Sequence, residues 1–171
     1  MEGLEELSVP FIQKCKQVGL ECNVEKTKVM LLSRRERIDG TVNIGDMEIR
    51  CVENFKYLGS TITAENLMDK EISERIGCGN RCAFALDKVL KSRNISRKTK
   101  FRIYNVIILP TVLYSCETWT LTKERMRKLE VFENSILHRI LGPIFDATIN
   151  HWRRRHNVEI RNLSSQPFIH D

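Results

Sequence analysis

The sequence predicts an α+β fold, in which a few short strands and one helix are followed by a helical bundle. Two observations carry this expectation. Up to about Thr63 the apolar residues alternate with a period of two, and beyond it they recur at helical spacing. Turn-forming pairs punctuate the first part, whereas caps and glycine stops punctuate the second. The expected organisation is 1–63, 64–143 and a basic tail over 144–171.

Leu7 to Val18 reads as a short helix, with Leu7, Phe11 and Cys15 at i, i+4 and i+8 and Val18 extending the stripe. Pro10 then falls in the first turn, where its missing N–H costs nothing. Gly19 follows as a stop. Lys28 to Ser33 (KVMLLS) reads as a short apolar strand. Thr41 to Val52 reads as a hairpin around Gly45-Asp46, with Val42 and Ile44 facing Met47, Ile49 and Cys51. Phe55 to Thr63 (FKYLGSTIT) reads as a strand interrupted at Gly59 by a bulge or a close backbone approach.

Asp69 to Lys91 carries Ile72, Ile76, Ala83, Leu86 and Leu90 at helical spacing, weakened by Gly77 and Gly79. Ser96 is an N-cap for a helix reaching about Leu109, where Pro110 kinks or ends it. Thr122 caps a third helix. Its apolar stripe is Met126, Leu129, Phe132, Ile136, Leu137, Ile140 and Leu141, and Gly142-Pro143 stops it. Beyond Pro143 periodicity fades, and Asn162 to Asp171 reads as a loose polar tail.

Composition narrows the functional classes. The 171 residues are 42% apolar and 29% charged, enough for one ordinary domain or two small ones. No apolar run approaches the roughly 20 residues of a membrane helix. The acidic start, with Glu2, Glu5 and Glu6, does not fit a signal peptide, so an intracellular and not secreted protein is expected. The six cysteines are then expected to be reduced. Cys78 and Cys82 share a helix face, but two thiolates do not fill a zinc site.

Net charge is +6, and its distribution says more than its size. Lys88, Lys91, Arg93, Arg97, Lys98, Lys100 and Arg102 follow one another with no acidic residue between them. Arg153, Arg154, Arg155 and Arg161 form a second cluster. Such clusters suit a polyanion, because each phosphate neutralised releases condensed counterions. A solvated helix face is the alternative. No Gly-rich phosphate loop or Ser–His–Asp pattern is present. Two-metal phosphoryl transfer needs adjacent carboxylates, and Asp39, Asp46, Asp69, Asp87 and Asp146 are isolated in sequence.

Six phrases in order carry a resemblance. They are GLECNVEKTKVMLLS (Gly19 to Ser33), FKYLGSTIT (Phe55 to Thr63), EISERIGCGNRCAFAL (Glu71 to Leu86), SRKTKFRIYNVIILPTVLYSCETWTLT (Ser96 to Thr122), LEVFENSILHRILGP (Leu129 to Pro143) and HWRRRHNVEIRNL (His151 to Leu163). Together they resemble the end of the palm and the thumb of reverse transcriptases from non-LTR (LINE-like) retrotransposons. The resemblance implies that the strands are a palm remnant and the bundle a thumb. The family's catalytic Tyr/Phe-Ala-Asp-Asp box precedes the Gly19 segment and does not occur in this sequence. His138 stands where the family usually has Arg, Ser115 where it usually has Gly, and Gly77, Cys78 and Gly79 loosen the thumb's first helix.

What the resemblance implies for function is a fragment of an RNA-directed DNA polymerase without its catalytic aspartates, not an enzyme by itself. Its partner would be an RNA/DNA duplex, bound weakly and without sequence preference. No catalytic or metal-ligating residue and no cofactor is assigned, although the parent enzyme would use Mg²⁺. Candidate nucleic-acid contacts are Lys26 and Lys28, Tyr57 and Gly59 in a primer-grip turn, Arg75 on the first thumb helix, and Arg93, Arg97, Lys98 and Lys100. Trp119 and Trp152 are expected as packing anchors. A non-functional translated remnant and a domesticated protein-binding scaffold are the alternatives.

Overall fold

Two tight turns shape the strand-rich part of the chain. Thr41–Ile44 (β1) pairs antiparallel with Met47–Arg50 (β2), Ile44 opposite Met47 and Val42 opposite Ile49. Only two residues are left for the turn, and Gly45 adopts φ 58, the positive value a II′ turn needs first. This is the hairpin the alternation predicts. Asn54–Tyr57 (β3) and Ser60–Thr63 (β4) form a second hairpin, with Tyr57 opposite Ser60. Here the outcome differs from the single interrupted strand expected. Leu58 (φ 48) and Gly59 (φ 87) both take positive φ, as a I′ turn requires, and reverse the chain instead of bulging it.

The computed structural model describes residues 2–33, 39–65, 68–164 and 169. The chain divides into two units, Met1–Lys70 and Glu71–Asp171. The first is centred on Val42, Ile44 and Ile49, covered by Val9, Ile12, Val29, Met47 and Cys51. Val9 and Ile12 come from Glu2–Gln17 (α1), which begins more than a turn before the predicted start. Pro10 therefore lies inside the helix rather than in its first turn, and Glu6 loses its usual donor four residues on. Leu7 and Phe11, expected on the packed stripe, are 79% and 67% exposed. Periodicity found an apolar face, but Val9 and Ile12 form another, and the hairpin took that one. Lys28 to Ser33 is not a strand either. It contributes one parallel bridge, Val29 to Cys51, with the Val29 N–H donating to the Arg50 carbonyl at 3.1 Å.

The second unit is helical, preceded in the chain by the start of Met68–Ala85 (α2). Asp87–Lys91 (α3) and Arg97–Ile103 (α4) follow. Ser96 caps α4 as expected, its hydroxyl accepting from the Thr99 N–H at 3.1 Å. The helix does not stop at Leu109. It widens into a π turn over Tyr104–Ile108 and resumes as Leu109–Leu113 (α5), with Pro110 in the first turn of the new segment. Lys100, Tyr104, Ile108 and Val112 are all buried along this run. Four-residue steps overshoot a 3.6-residue turn, and the i→i+5 bonding of the π turn takes up the overshoot. Ser115, where the resembling family usually has Gly, sits at φ 65, the region in which glycine is least strained.

Lys123–Leu141 (α6) is capped by Thr122 and ended by Gly142 at φ 68, as predicted, and Leu129, Phe132, Ile136, Leu137, Ile140 and Leu141 are buried along it. The basic tail expected over 144–171 holds regular elements. Ile144–Asp146 (β5) pairs with His151–Arg153 (β6), and Asn157–Ser164 (α7) buries Ile160 completely. Of the expected polar tail, 165–168 and 170–171 lie outside the described residues, while Ile169 is buried. These elements escaped because each holds too few residues for a period to show.

Gly79 also changes meaning. A Cβ there would run into Val112 Cγ2 and lie 2.8 Å from Phe132 Cζ, so α2 presses on α5 and α6 only because this residue has no side chain. It does not loosen the helix. Gly77 has an ordinary 3.6 Å neighbour, Arg81 Nη1. Urea denaturation should therefore find Gly79→Ala destabilising by about 1–3 kcal/mol through overpacking. Gly77→Ala should stabilise by about 0.5–1 kcal/mol through helix propensity alone.

Candidate nucleic-acid interface

In the first unit the expected contacts lie on separate loops. Asn23 organises the turn that carries Lys26, its side-chain oxygen accepting from the Lys26 N–H at 3.0 Å, and the lysine side chain is exposed. Lys28 is half-buried and lines a shallow cleft with Glu25, Glu48 and Arg50. Tyr57, an exposed residue, ends β3 immediately before the Leu58-Gly59 turn.

In the second unit the geometry sorts the basic residues into two sets. Arg75 has only 12% of its side chain exposed. Its Nε donates to Glu71 Oε1 at 2.7 Å, and its guanidinium lies 4.6 Å from the Tyr114 ring centroid. A charge already held by a carboxylate and an aromatic face has little left for phosphate. Lys100 is 6% exposed, because it heads the buried row that continues with Tyr104 and Ile108. These two therefore do not share the surface expected of them. Arg93, Arg97, Lys98 and Arg102 are exposed, and Lys98 and Arg102 stand one turn apart on α4.

The two basic clusters, far apart in sequence, meet at one groove. Lys91 and Arg93 line it from the end of α3 and the loop after it. His138, Arg139 and Gly142 line it from α6, and Trp152, Arg153 and Arg154 from β6 and beyond. Its volume is about 660 Å³. Part of this charge is structural. Asp87 holds Lys91 at 2.7 Å and Arg139 at 3.7 Å. Arg153 donates to Asp146 Oδ2 at 2.7 Å and to both Glu159 oxygens at 2.7 and 3.0 Å. Arg161, from the same sequence cluster, pairs with Glu130 at 3.7 Å.

Arg154 faces no carboxylate in that network. Its Nε donates to His138 Nδ1 at 3.4 Å, while His138 Nε2 lies 3.3 Å from Asn157 Oδ1. Burial lowers the His138 pKa; the Asn157 bond opposes this and Arg154 adds to it. A neutral ring accepts from Arg154, which fixes the guanidinium at the groove edge. Trp152 is 61% exposed, so it is not the packing anchor expected; it meets Phe145 edge to face at 5.5 Å. Trp119 is half-buried, and its Nε1 is buried without a partner among the described residues. Trp152, Arg154 and His138, which line this groove, were not among the contacts expected from the sequence. The signal available was Trp152 and Arg154 two apart, one strand period, just after a Gly-Pro stop.

No family model and no solved structure matches the chain. It is similar to an uncharacterized transposon-derived protein of Caenorhabditis elegans, 31% identical over 163 residues, covering 90% of this chain and 55% of that protein. The chain spans about half the length of the curated relative it matches, and the similarity supports a transposon origin.

The Arg153 clamp gives the site a pH signature. The bonds from Arg153, then that from the His156 N–H, hold the Glu159 carboxyl down at about 2. Arg153, followed by Thr148, likewise lowers Asp146. A depressed carboxylate contributes stability in full above its unfolded value, near 4.5, and loses it as pH falls through about 2. Hydrogen exchange over 157–164 should accordingly stay protected at neutral pH and weaken across that window. In Glu159→Gln the protection should already be reduced at neutral pH, and the acid-dependent step should shrink.

Proposed function

We propose that the chain is the palm-end and thumb portion of a non-LTR retrotransposon reverse transcriptase, and that it binds an RNA/DNA duplex through phosphates without catalysing polymerisation. The observation that carries this reading is the exposed row Arg93, Arg97, Lys98 and Arg102, to which no acidic side chain is paired among the described residues. Arg97 and Lys98 stand in the first turn of α4, where cations oppose the helix dipole. Helix stability gives no reason for them there, whereas a polyanionic partner does. The transposon-derived relative and the order of the six sequence phrases support the same origin. The reading leaves out Arg75 and Lys100, whose environments commit them to the interior of the second unit.

A protein-binding scaffold is the second reading, and the exposed Leu7 and Phe11 of α1 are on its side. Salt separates the two. Binding to an RNA/DNA duplex should weaken linearly on a log–log salt plot. Replacing Arg93, Arg97 and Lys98 together by Gln should lower the slope by about 0.9 for each phosphate no longer neutralised. Lys100→Met should leave both affinity and slope unchanged, since that side chain is not at the surface. An unaltered slope in the triple variant, with circular dichroism intact, refutes the duplex reading.

Primer extension is the complementary measurement. With Mg²⁺, deoxynucleotides and a primed RNA template, the chain should extend nothing above a no-protein control, because the Ala-Asp-Asp box of the resembling family is not among its residues.

A further inference from the structure

The groove on the second unit holds a feature that duplex binding does not use. Trp152 presents its indole to solvent beside two cations that have no carboxylate partner among the described residues, Arg93 and Arg154. An aromatic face next to cations recognises an unpaired base with its phosphates, because a base inside a duplex has both faces covered. We propose that this groove binds single-stranded nucleic acid, with one base stacked on Trp152 and neighbouring phosphates held by Arg93 and Arg154.

Three observations make the groove a prepared site rather than a lone exposed tryptophan. The β5–β6 hairpin that carries Trp152 is pinned in place, since Arg153 bonds Asp146 of β5 and Glu159 of α7 at once. Phe145, directly across from Trp152 in the pairing, meets the indole edge to face at an interplanar angle of 68°, which restrains the ring while leaving it 61% exposed. Arg154 is held by the His138 ring, and that ring by Asn157. The volume of about 660 Å³ falls within the roughly 300–1,000 Å³ of ligand clefts and suits a nucleotide with its flanking phosphates.

The charge selects the same class of partner. Lys91, Arg93, Arg139, Arg153 and Arg154 line the groove, and no acidic residue among the described residues does. Asp87, Asp146 and Glu159 are not among the lining residues and pair with Lys91, Arg139 and Arg153. Arg93 and Arg154 keep their charge for a ligand. Arg93 also belongs to the row proposed for duplex phosphates, so a strand leaving that duplex could pass from one surface to the other; Trp152 and Arg154 belong to the groove alone.

The test uses the full chain in a Trp119→Phe background, so that Trp152 is the remaining indole fluorophore. Trp119 tolerates this change because phenylalanine removes an N–H that has no partner among the described residues. The probes are an unstructured oligouridine and an oligothymidine of about twelve nucleotides, within the site sizes of single-strand binders, together with an RNA/DNA hybrid duplex of equal length. Both single strands should quench Trp152 fluorescence on binding. By anisotropy of a labelled oligonucleotide, Trp152→Ala should weaken single-strand binding by about 5- to 150-fold, the span of one base stack. Trp152→Phe, which keeps an aromatic face and controls for folding, should lose less. Arg154→Gln should lower the single-strand salt slope by about 0.7. Duplex affinity should be unchanged in all three.

Equal single-strand affinity in Trp152→Ala and its parent overturns the proposal. So does displacement of the oligonucleotide by polyglutamate of matched charge at the same concentration as by a second oligonucleotide, since that marks a site for acidic peptides. Duplex binding without single-strand binding overturns this proposal alone, whereas the loss of both removes the duplex reading with it.

Discussion

The absence of a side chain at Gly79 is the constraint on which the second unit depends. It lets α2 close on Val112 of α5 and Phe132 of α6 at a distance no Cβ permits. With the three helices that near, the next residue of α6, Glu133, is enclosed at 7% exposure and must be satisfied from within. The Tyr104 hydroxyl donates to it at 3.1 Å and the Ile169 N–H at 3.3 Å. Burial, reinforced by this carboxylate, pushes the Tyr104 phenol well above its ordinary range, so it stays a donor. Tyr104 opens the π turn, and the widened turn keeps Lys100, Tyr104, Ile108 and Val112 in one buried row. One missing methyl group is thus coupled to a buried acid, a helical irregularity and the seating of Ile169, 36 residues beyond that acid.

That arrangement decides which positive charges are left for a partner. Arg75, Arg153, Arg139 and Arg161 each bridge to a carboxylate of their own unit. They brace helices and the β5–β6 hairpin. The exposed ion pairs among them contribute little stability singly, but at Arg153 three charge-assisted bonds converge on one guanidinium and impose its geometry. A basic cluster in sequence is therefore not a basic surface. Among the residues left outward are Arg97, Lys98 and Arg102 of α4, with Arg93 and Arg154 beside the groove that Trp152 lines.

Much of the fold could be read from residue order alone. The β1–β2 hairpin was legible because Gly45-Asp46 leaves two residues for the turn and the alternation on either side selects the register. The caps Ser96 and Thr122, the stop at Gly142 and the apolar stripe of α6 were legible for the same local reason, since a helix end or a long period is written within a few adjacent residues. The resemblance to the retrotransposon polymerases also came from residue order, as did the candidate contacts. Of these, Lys26, Tyr57, Arg93, Arg97 and Lys98 are exposed.

Tertiary structure decided what no local pattern contains. It chose Val9 and Ile12 over Leu7 and Phe11 as the packed face of α1, because an amphipathic helix does not specify which apolar stripe finds a partner. It turned Gly79 from an apparent weakness into a contact point, because closeness to Phe132 depends on a helix far along the chain. It buried Lys100 and engaged Arg75, though their letters promised surface charge, because a side chain's freedom depends on what lies across from it. The sequence by itself determined most of the elements, their order and the excess of positive charge. The packing of α6 against α3 and α7 brought Arg93, His138, Trp152 and Arg154 to one groove, since only a folded chain gives distant residues a common neighbour.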